Sequence, residues 1–392
     1  MAWLSKTKGV YIVGAKRTGF GAFGGTFKEE SATELAIQSA KAVLEQTGVN
    51  PEWISASIFG NVLGLNEPYL ARHVGLAVGL HPDKSTALTI NRLCGSGFET
   101  ILQGAQHLHL TNSDLVLCGG TESMSRAPYT LQGNVRFGIP LGSKSPQLKD
   151  SLWNGLTDPF IQTPMGVTAE NIAKQYNITR EECDEYAIMS QQRHATAADS
   201  GKFLPELVHP DHVDEHARPN STYEKIAKLP SVFQKSNGVV TAANASGIAD
   251  GAGTLLLASH DALTKYNLTP MAKIESYHVS GCHPETMGLG PITAVQGALQ
   301  QANNLDLKDV DIVEINEAFA AQVLACQRTL EVPMEKMNVC GGAIAMGHPL
   351  AASGSRIMAH LAHQLQQQQQ QYAMGSACIG GGQGIAILLS QP

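Results

Sequence analysis

Residues 86–120 read TALTINRLCGSGFETILQGAQHLHLTNSDLVLCGG. Thr86–Asn91 is a short apolar run rich in β-branched residues and reads as a strand. Ser96 to about Leu110 reads as a helix, and Asp114–Cys118 as a second strand ended by Gly119-Gly120. Strand, helix and strand in succession imply parallel pairing through a right-handed crossover, and so an α/β fold. Cys94 falls in the turn between the first strand and the helix.

The same rhythm extends in both directions. Upstream, Gly9–Gly14 reads as a buried strand and Ile54–Phe59 as another. Between them Ser31-Ala32-Thr33-Glu34 is a capping box that opens a helix ending near Gly48. In the C-terminal third, strands are expected at Met271–His278, Asp311–Ile315, Met337–Cys340, Tyr372–Cys378 and Ile385–Leu389. Helices are expected at Ile292–Asn303, from about Ala318, and from about Leu350 to Leu365. Both ends of the chain carry an apolar run closing on Cys and then glycine, at Cys118 and Cys378, which hints at an internal duplication. The middle, about 122–248, is polar and irregular, with helical segments near 165–176 and 180–200. Thr179 and Glu182 form a capping box for the second of these. An insertion of this kind between two α/β halves is a common place for a binding site. The glutamine run 366–371 reads as a surface loop.

A chain of 392 residues exceeds the roughly 250–300 that one core supports, so two or three domains are expected. A net charge of −7 with no Lys/Arg block excludes nucleic acid as the main partner. No stretch approaches the ~18 apolar residues of a membrane span. Seven cysteines without a C-x-x-C pair point away from a disulfide framework or a zinc site, and toward a reducing compartment. The N-terminus lacks the apolar core of a secretory signal. Its Lys6, Lys8, Lys16 and Arg17, with no acidic residue before Glu29, fit a mitochondrial address. The plainer reading, a core strand with solvated flanks, is preferred, and the closing Ser-Gln-Pro is not a peroxisomal tail.

Four segments carry chemistry. In Asn91–Gly97 a cysteine at a helix start is placed to have its thiol pKa lowered by the helix amides and macrodipole. It is read either as a nucleophile or as a buried inert cysteine. In Gly341–Pro349, His348 stands on a glycine-rich turn before a helix, as a base titrating near neutrality or as a hydrogen-bonded loop residue. In Ser376–Gly384, Cys378 ends a strand ahead of three glycines. It offers a thiol and free N–H groups for proton transfer and an oxyanion hole, or is an ordinary strand end. In Asn316–Phe319 the asparagine holds a water or caps a helix.

Taken together, in this order and spacing, these segments resemble the thiolase family. The likeness also covers Ala15–Thr18, Gly119–Ser125, Thr168–Asn171 and Asn244–Gly247. Within the family it is nearest to the mitochondrial 3-ketoacyl-CoA type, through Leu70–Gly75, Asp150–Trp153, Asp214–Pro219 and Leu229-Pro230. The resemblance implies two similar βαβαβαββ halves in a layered αβαβα core, with an inserted loop domain. Those parts would be 1–121 with about 249–270, then 122–248 over the coenzyme A site, then 271–392. It implies thiolytic cleavage of 3-ketoacyl-CoA by CoA to acetyl-CoA and a shortened acyl-CoA; the alternative is an acetoacetyl-CoA thiolase working as a condensing enzyme. Cys94 matches the acyl-accepting nucleophile, His348 its base, and Cys378 the acid/base at the acetyl carbon. Asn316 matches the holder of a water, and the N–H groups of Cys94 and Gly380 the oxyanion hole. Arg218, Ser221 and Ser246 match CoA contacts, and Met165 the border of the thioester pocket. No permanent cofactor and no metal are implied, with coenzyme A as substrate. A homodimer or homotetramer is implied, cytoplasmic in a bacterial-type source or else in the mitochondrial matrix.

The sequence departs from the family at Ala351 and Ala243, where glycine is usual, at Cys340, and at Pro164, which favours the degradative type. Each added methyl costs about 1–3 kcal/mol unless the site relaxes, so an active enzyme with shifted chain-length preference is expected. A ketoacyl synthase would carry a second histidine in place of Cys378. A non-catalytic binding protein would have lost one of Cys94, His348 or Cys378, and a Rossmann oxidoreductase needs a glycine fingerprint absent after the first strand.

Overall fold

A computed structural model describes residues 9–133 and 135–392; Lys6 and Lys8 lie outside the described residues. The chain runs β1 (Val10–Arg17), α1 (Ala32–Thr47), β2 (Ile54–Gly60), α2 (Leu70–Ala77), β3 (Thr86–Ile90), α3 (Ser96–Thr111) and β4 (Leu115–Ser123). The polar insertion follows, with α4 (Met165–Tyr176) and α5 (Arg180–Asp199), and then β5 (Ala249–Ser259). The remainder is β6 (Ala272–Gly281), α6 (Gly290–Gln301), β7 (Ile312–Ile315), α7 (Ala320–Leu330), α8 (Ala352–Gln368), β8 (Tyr372–Ile379) and β9 (Gln383–Ser390).

Local chemistry sets several of these boundaries. Ser31 and Glu34 form the expected reciprocal capping box on α1, and Gly48 closes that helix in the left-handed conformation. Thr179 and Glu182 do the same at the start of α5. The strands join in one hydrogen-bonded path, β7-β8-β9-β6-β1-β5-β4-β2-β3. Only β2–β3, β2–β4 and β7–β8 pair in parallel, which corrects the uniformly parallel expectation. The reason is connectivity: β8 and β9 are joined by the tight Gly380–Gly382 turn, which reverses the chain.

The hinted duplication is visible in the order of elements. β1-α1-β2-α2-β3-α3-β4-β5 is answered by β6-α6-β7-α7, the segment 337–341, then α8-β8-β9. Met337–Cys340 stands where β3 stands in the first set but forms no strand. It makes only single bridges, Val313 with Met337 and Val339 with Gly341. Asn338 explains the difference: its backbone turns left-handed at φ 47 while its side chain bonds Ile315 N and O.

Alternation along each strand separates the layers. Val13, Phe59, Leu117 and Leu256 face α1 and α2. Ile12, Ile58, Val116 and Leu257, with Ile312, Ile379 and Ile387, face α3 and α8 in the middle. Val313, Met374 and Leu388 face α6 and α7 on the far side. The result is helix, sheet, helix, sheet, helix. No helix among the described residues is long and apolar enough to cross a membrane.

The two central helices meet at their first turns through glycine. A methyl built on Gly97 would stand 2.5 Å from Ser355 N and 2.6 Å from Ala351 O, and one on Gly354 would stand 2.4 Å from Phe98 N. These neighbours are backbone atoms and cannot swing aside. Gly354→Ala is expected to cost about 3 kcal/mol through overpacking. A chemical-denaturation midpoint equal to that of the unmodified protein would refute this account of the seam.

Candidate active site

Cys94 sits in the turn that launches α3. Leu93 before it has φ 48, a left-handed conformation rare for a residue with a side chain. Such strain costs on the order of 1–3 kcal/mol and marks functional sites. Here Leu93 N donates to Asn91 Oδ1 (3.0 Å), while Ser96 Oγ accepts from Arg92 N (2.9 Å) and donates to Leu93 O (2.6 Å). The thiol lies against Leu63, Met124, Leu152 and Leu350. The expectation of a lowered thiol pKa fails. Burial pushes Cys94 up to about 11, the carboxylate of Glu122 adds to this, and the N–H of Gly380 opposes it by donating to the sulfur.

His348 is buried, at the end of a glycine turn in which Gly347 has φ 98. Its N–H donates to Gly247 O (2.8 Å). Ser353 Oγ donates to Pro349 O (3.2 Å) and lies 2.6 Å from His348 Nδ1. With its own proton committed, Ser353 accepts from Nδ1–H, so the free lone pair is on Nε2. Nε2 lies 3.3 Å from Asn316 Nδ2. Burial, helped by Arg356, holds the imidazole down to about 4 rather than near neutrality. At pH 7 it is an uncharged base.

Cys378 ends β8, buried, and packs with Met287, Ala318 and Met165. Burial drives its thiol well above the ordinary value, and Cys94, Cys326 and Cys282 raise it further. The two cysteine turns are packed together, since a methyl built on Gly95 would stand 2.4 Å from Ile379 Cδ1. Gly380 follows in the turn; a methyl there would stand 3.2 Å from Leu93 Cδ1 and 3.4 Å from Met165 Sδ. Asn316 does not cap a helix, since α7 begins at Ala320 with Phe319 as its cap. Its Oδ1 is a buried acceptor with no donor among the described residues, as suits a group that accepts a hydrogen bond from a water.

Ser246 and Met165 reach this centre: Ser246 N donates to Ala318 O (3.1 Å), and Met165 borders Gly380. Arg218 and Ser221 lie further out, in an exposed turn closed by Ser221 Oγ donating to Arg218 O (2.8 Å). That turn is tied to the centre by the His216 ring, which packs on Gly247. Ala351 is fully buried with ordinary helical backbone angles, and Ala243 is half-buried.

Sequence reading missed Ser353, Glu122 and Glu317. Glu317 is fully buried and accepts from Tyr186, Ser190, Asn338 and the Ile344 N–H, fastening α5 to the turn before His348. Spacing carried a faint signal only for Ser353, five residues past the histidine.

The chain matches the thiolase N-terminal domain over residues 10–261 and the thiolase C-terminal domain over 268–391. It is 54% identical to human mitochondrial 3-ketoacyl-CoA thiolase, with 97% of this chain and 98% of that protein covered. It is 41% identical to a probable acetyl-CoA acyltransferase of Staphylococcus aureus, covering 97% and 99%. The crystal structure of the human enzyme in complex with CoA superposes with TM-score 0.95, covering 98% of each chain.

The state of His348 is measurable. The unfolded chain takes up the imidazole proton near 6.5 and the folded one only near 4, so stability should fall as pH drops through that window. Nitrogen-15 spectra of labelled histidine at pH 6 should show His348 neutral with the proton on Nδ1. An imidazolium signal for this residue at pH 6 would contradict it.

Proposed function

This chain belongs to the thiolase family, and we propose that it is a 3-ketoacyl-CoA thiolase, an acetyl-CoA C-acyltransferase that uses coenzyme A as substrate and no resident cofactor. What supports the reading is that the turn after Cys378 packs on the turn of Cys94, through Ile379 against Gly95 and Gly380 against Leu93, while His348, oriented by Ser353, reaches Asn316 beside the Cys378 strand. In the forward direction, Cys94 gives its proton to His348 Nε2 as the sulfur attacks C3 of the 3-ketoacyl-CoA. N–H groups of Cys94 and Gly380 receive the oxyanion, each such donor supplying on the order of 3 kcal/mol. Collapse breaks the C2–C3 bond and releases the acetyl-CoA enolate, held through Asn316 and its water and protonated by the Cys378 thiol. Coenzyme A then attacks the acyl-Cys94 thioester, its proton restoring Cys378 while His348 returns a proton to Cys94. Arg218, Ser221 and Ser246 hold the CoA moiety, and Met165 borders the thioester.

We assign residues 1–121 with about 249–270, and 271–392, to the two thiolase halves, with 122–248 as the loop domain over the substrate. Free cysteines suit a reducing compartment, cytoplasmic in a bacterial-type source or the mitochondrial matrix.

We propose homodimer formation through β3, with a homotetramer as a dimer of such dimers. β3 ends the sheet path, and Thr86 to Thr89 are exposed, with Leu88 47% exposed. An open apolar edge strand is normally covered. Light scattering should report a dimer or tetramer, and Leu88→Asp should shift it toward monomer; a monomeric unmodified protein would rule the assembly out.

Mass spectrometry after incubation with acetoacetyl-CoA tests the chemistry directly. An acetyl adduct of Cys94, absent in Cys94→Ala, is expected. An adduct on another cysteine, or none, would overturn the assignment.

A further inference from the structure

Beside Cys94 lies a carboxylate with no part in the scheme above. Glu122, near the end of β4, is fully buried. Its oxygens accept from Asn61 Nδ2 (3.1 Å) and from the N–H groups of Leu63 (2.9 Å), Val62 (3.2 Å) and Ala351 (3.1 Å). All four donors are uncharged. A buried carboxylate held only by neutral donors is unusual, because such charges are normally paired with a cation.

Its partners are not scattered. Leu63 and Leu350, the latter next to Ala351, are two walls of the pocket around Cys94. Asn61–Leu63 is the chain leaving β2, and Ala351 stands three residues after His348. Glu122 thus binds together the floor of the nucleophile's pocket and the segment that presents the base. Its charge also reaches Cys94, where it opposes the thiolate.

We propose that Glu122 is a positioning residue that fixes the Cys94 pocket and whose negative charge, when present, disfavours the Cys94 thiolate. In the free enzyme the charge rests on Glu122 and Cys94 stays a protonated thiol. Losing the Cys94 proton is easier whenever Glu122 is neutral. Burial brings Glu122 up to about 7, against the backbone N–H groups that lower it, so its charge appears near neutral pH while Cys94, at about 11, is still protonated. The charged groups on elements packed around Glu122 do not supply a counter-charge. Glu67 caps α1 and repels it. Asp250 on β5 is held by Ser125, Arg126 donates to Glu29 O, and Arg356 on α8 is paired with Glu314.

The inference rests on Cys94 being the nucleophile, but its test needs no turnover, so it fails or stands apart from the acetyl-adduct experiment. Full-length enzyme is treated with iodoacetamide between pH 5 and 10, and carbamidomethylation of Cys94 is followed by peptide mass spectrometry. The unmodified protein should show a shoulder near neutrality, where the rise with pH slackens as Glu122 ionises. Glu122→Gln should lose the shoulder and react about threefold or more faster at pH 8, as removal of a like charge requires. Leu63→Ala loosens the same wall without touching the carboxylate; its rates should change in parallel at all pH values, keeping the shoulder. A smooth profile in the unmodified protein overturns the proposal whether or not Glu122→Gln folds. So does a Leu63→Ala profile without the shoulder, or a folded Glu122→Gln protein that reacts as the unmodified one does.

Discussion

The first turns of α3 and α8 touch backbone to backbone, and the candidate site is assembled around that contact. Each helix begins just after a residue of the candidate site, Cys94 for α3 and His348 for α8. Gly97 and Gly354 remove the side chains that would hold the helices apart, and Gly120 on β4 gives way to Ala351 O in the same manner. The two helices occupy equivalent places in the two repeats, so the duplication itself delivers a thiol and an imidazole to one spot. The hairpin turn after β8 then brings Cys378 and the Gly380 N–H to the same place.

Within that centre, burial outweighs the helix dipole. A helix N-terminus favours an anion by about 0.3–1 kcal/mol, up to about 2 in partly buried settings. Moving a thiol from 9 to about 11 opposes the thiolate by roughly 3 kcal/mol. The same desolvation removes the proton from His348 and keeps it on both thiols. The resting pocket is therefore a neutral thiol beside a neutral base. In the proposed reaction, charge would develop there only with a substrate oxygen and the N–H donors in place to receive it, which favours the transition state over the free enzyme.

Much of the architecture was legible because it is written in local chemistry. Ser31 with Glu34, Thr179 with Glu182, and the apolar runs flanking Cys94 and Cys378 each state their own conformation. The failures share a different cause. Met337–Cys340 has a strand's composition, but the left-handed turn at Asn338 is enforced by partners on β7, far away in the chain. The direction of the Cys94 shift depended on how deeply three distant leucines and a carboxylate enclose it, which spacing does not record. Glu122 and Glu317 looked like ordinary acidic residues because their donors come from other segments, mainly backbone N–H groups for Glu122 and mainly side chains for Glu317. Catalytic motifs announce themselves; the groups that hold them still do not.

The insertion poses the same problem at larger scale, since a polar, irregular segment must be held in one place. Arg17 on β1 solves it. Buried completely, it binds Glu206 (2.6 Å) and, with two nitrogens, Asp214 (2.7 and 3.1 Å). His194 of α5 binds the same Asp214 (3.0 Å), and His360 of α8 binds Glu206 (2.7 Å). Burial alone would discharge His360, but Glu206 overrides it and raises the imidazolium to about 10. Buried ion pairs are poor sources of net stability, because desolvation cancels most of the attraction. Their strength is that no other register leaves every charge matched. Strand, insertion and central helix each contribute to one cluster, so segment 206–218 has a single place to lie, a few residues from the turn that His216 packs against Gly247, whose carbonyl holds the His348 N–H.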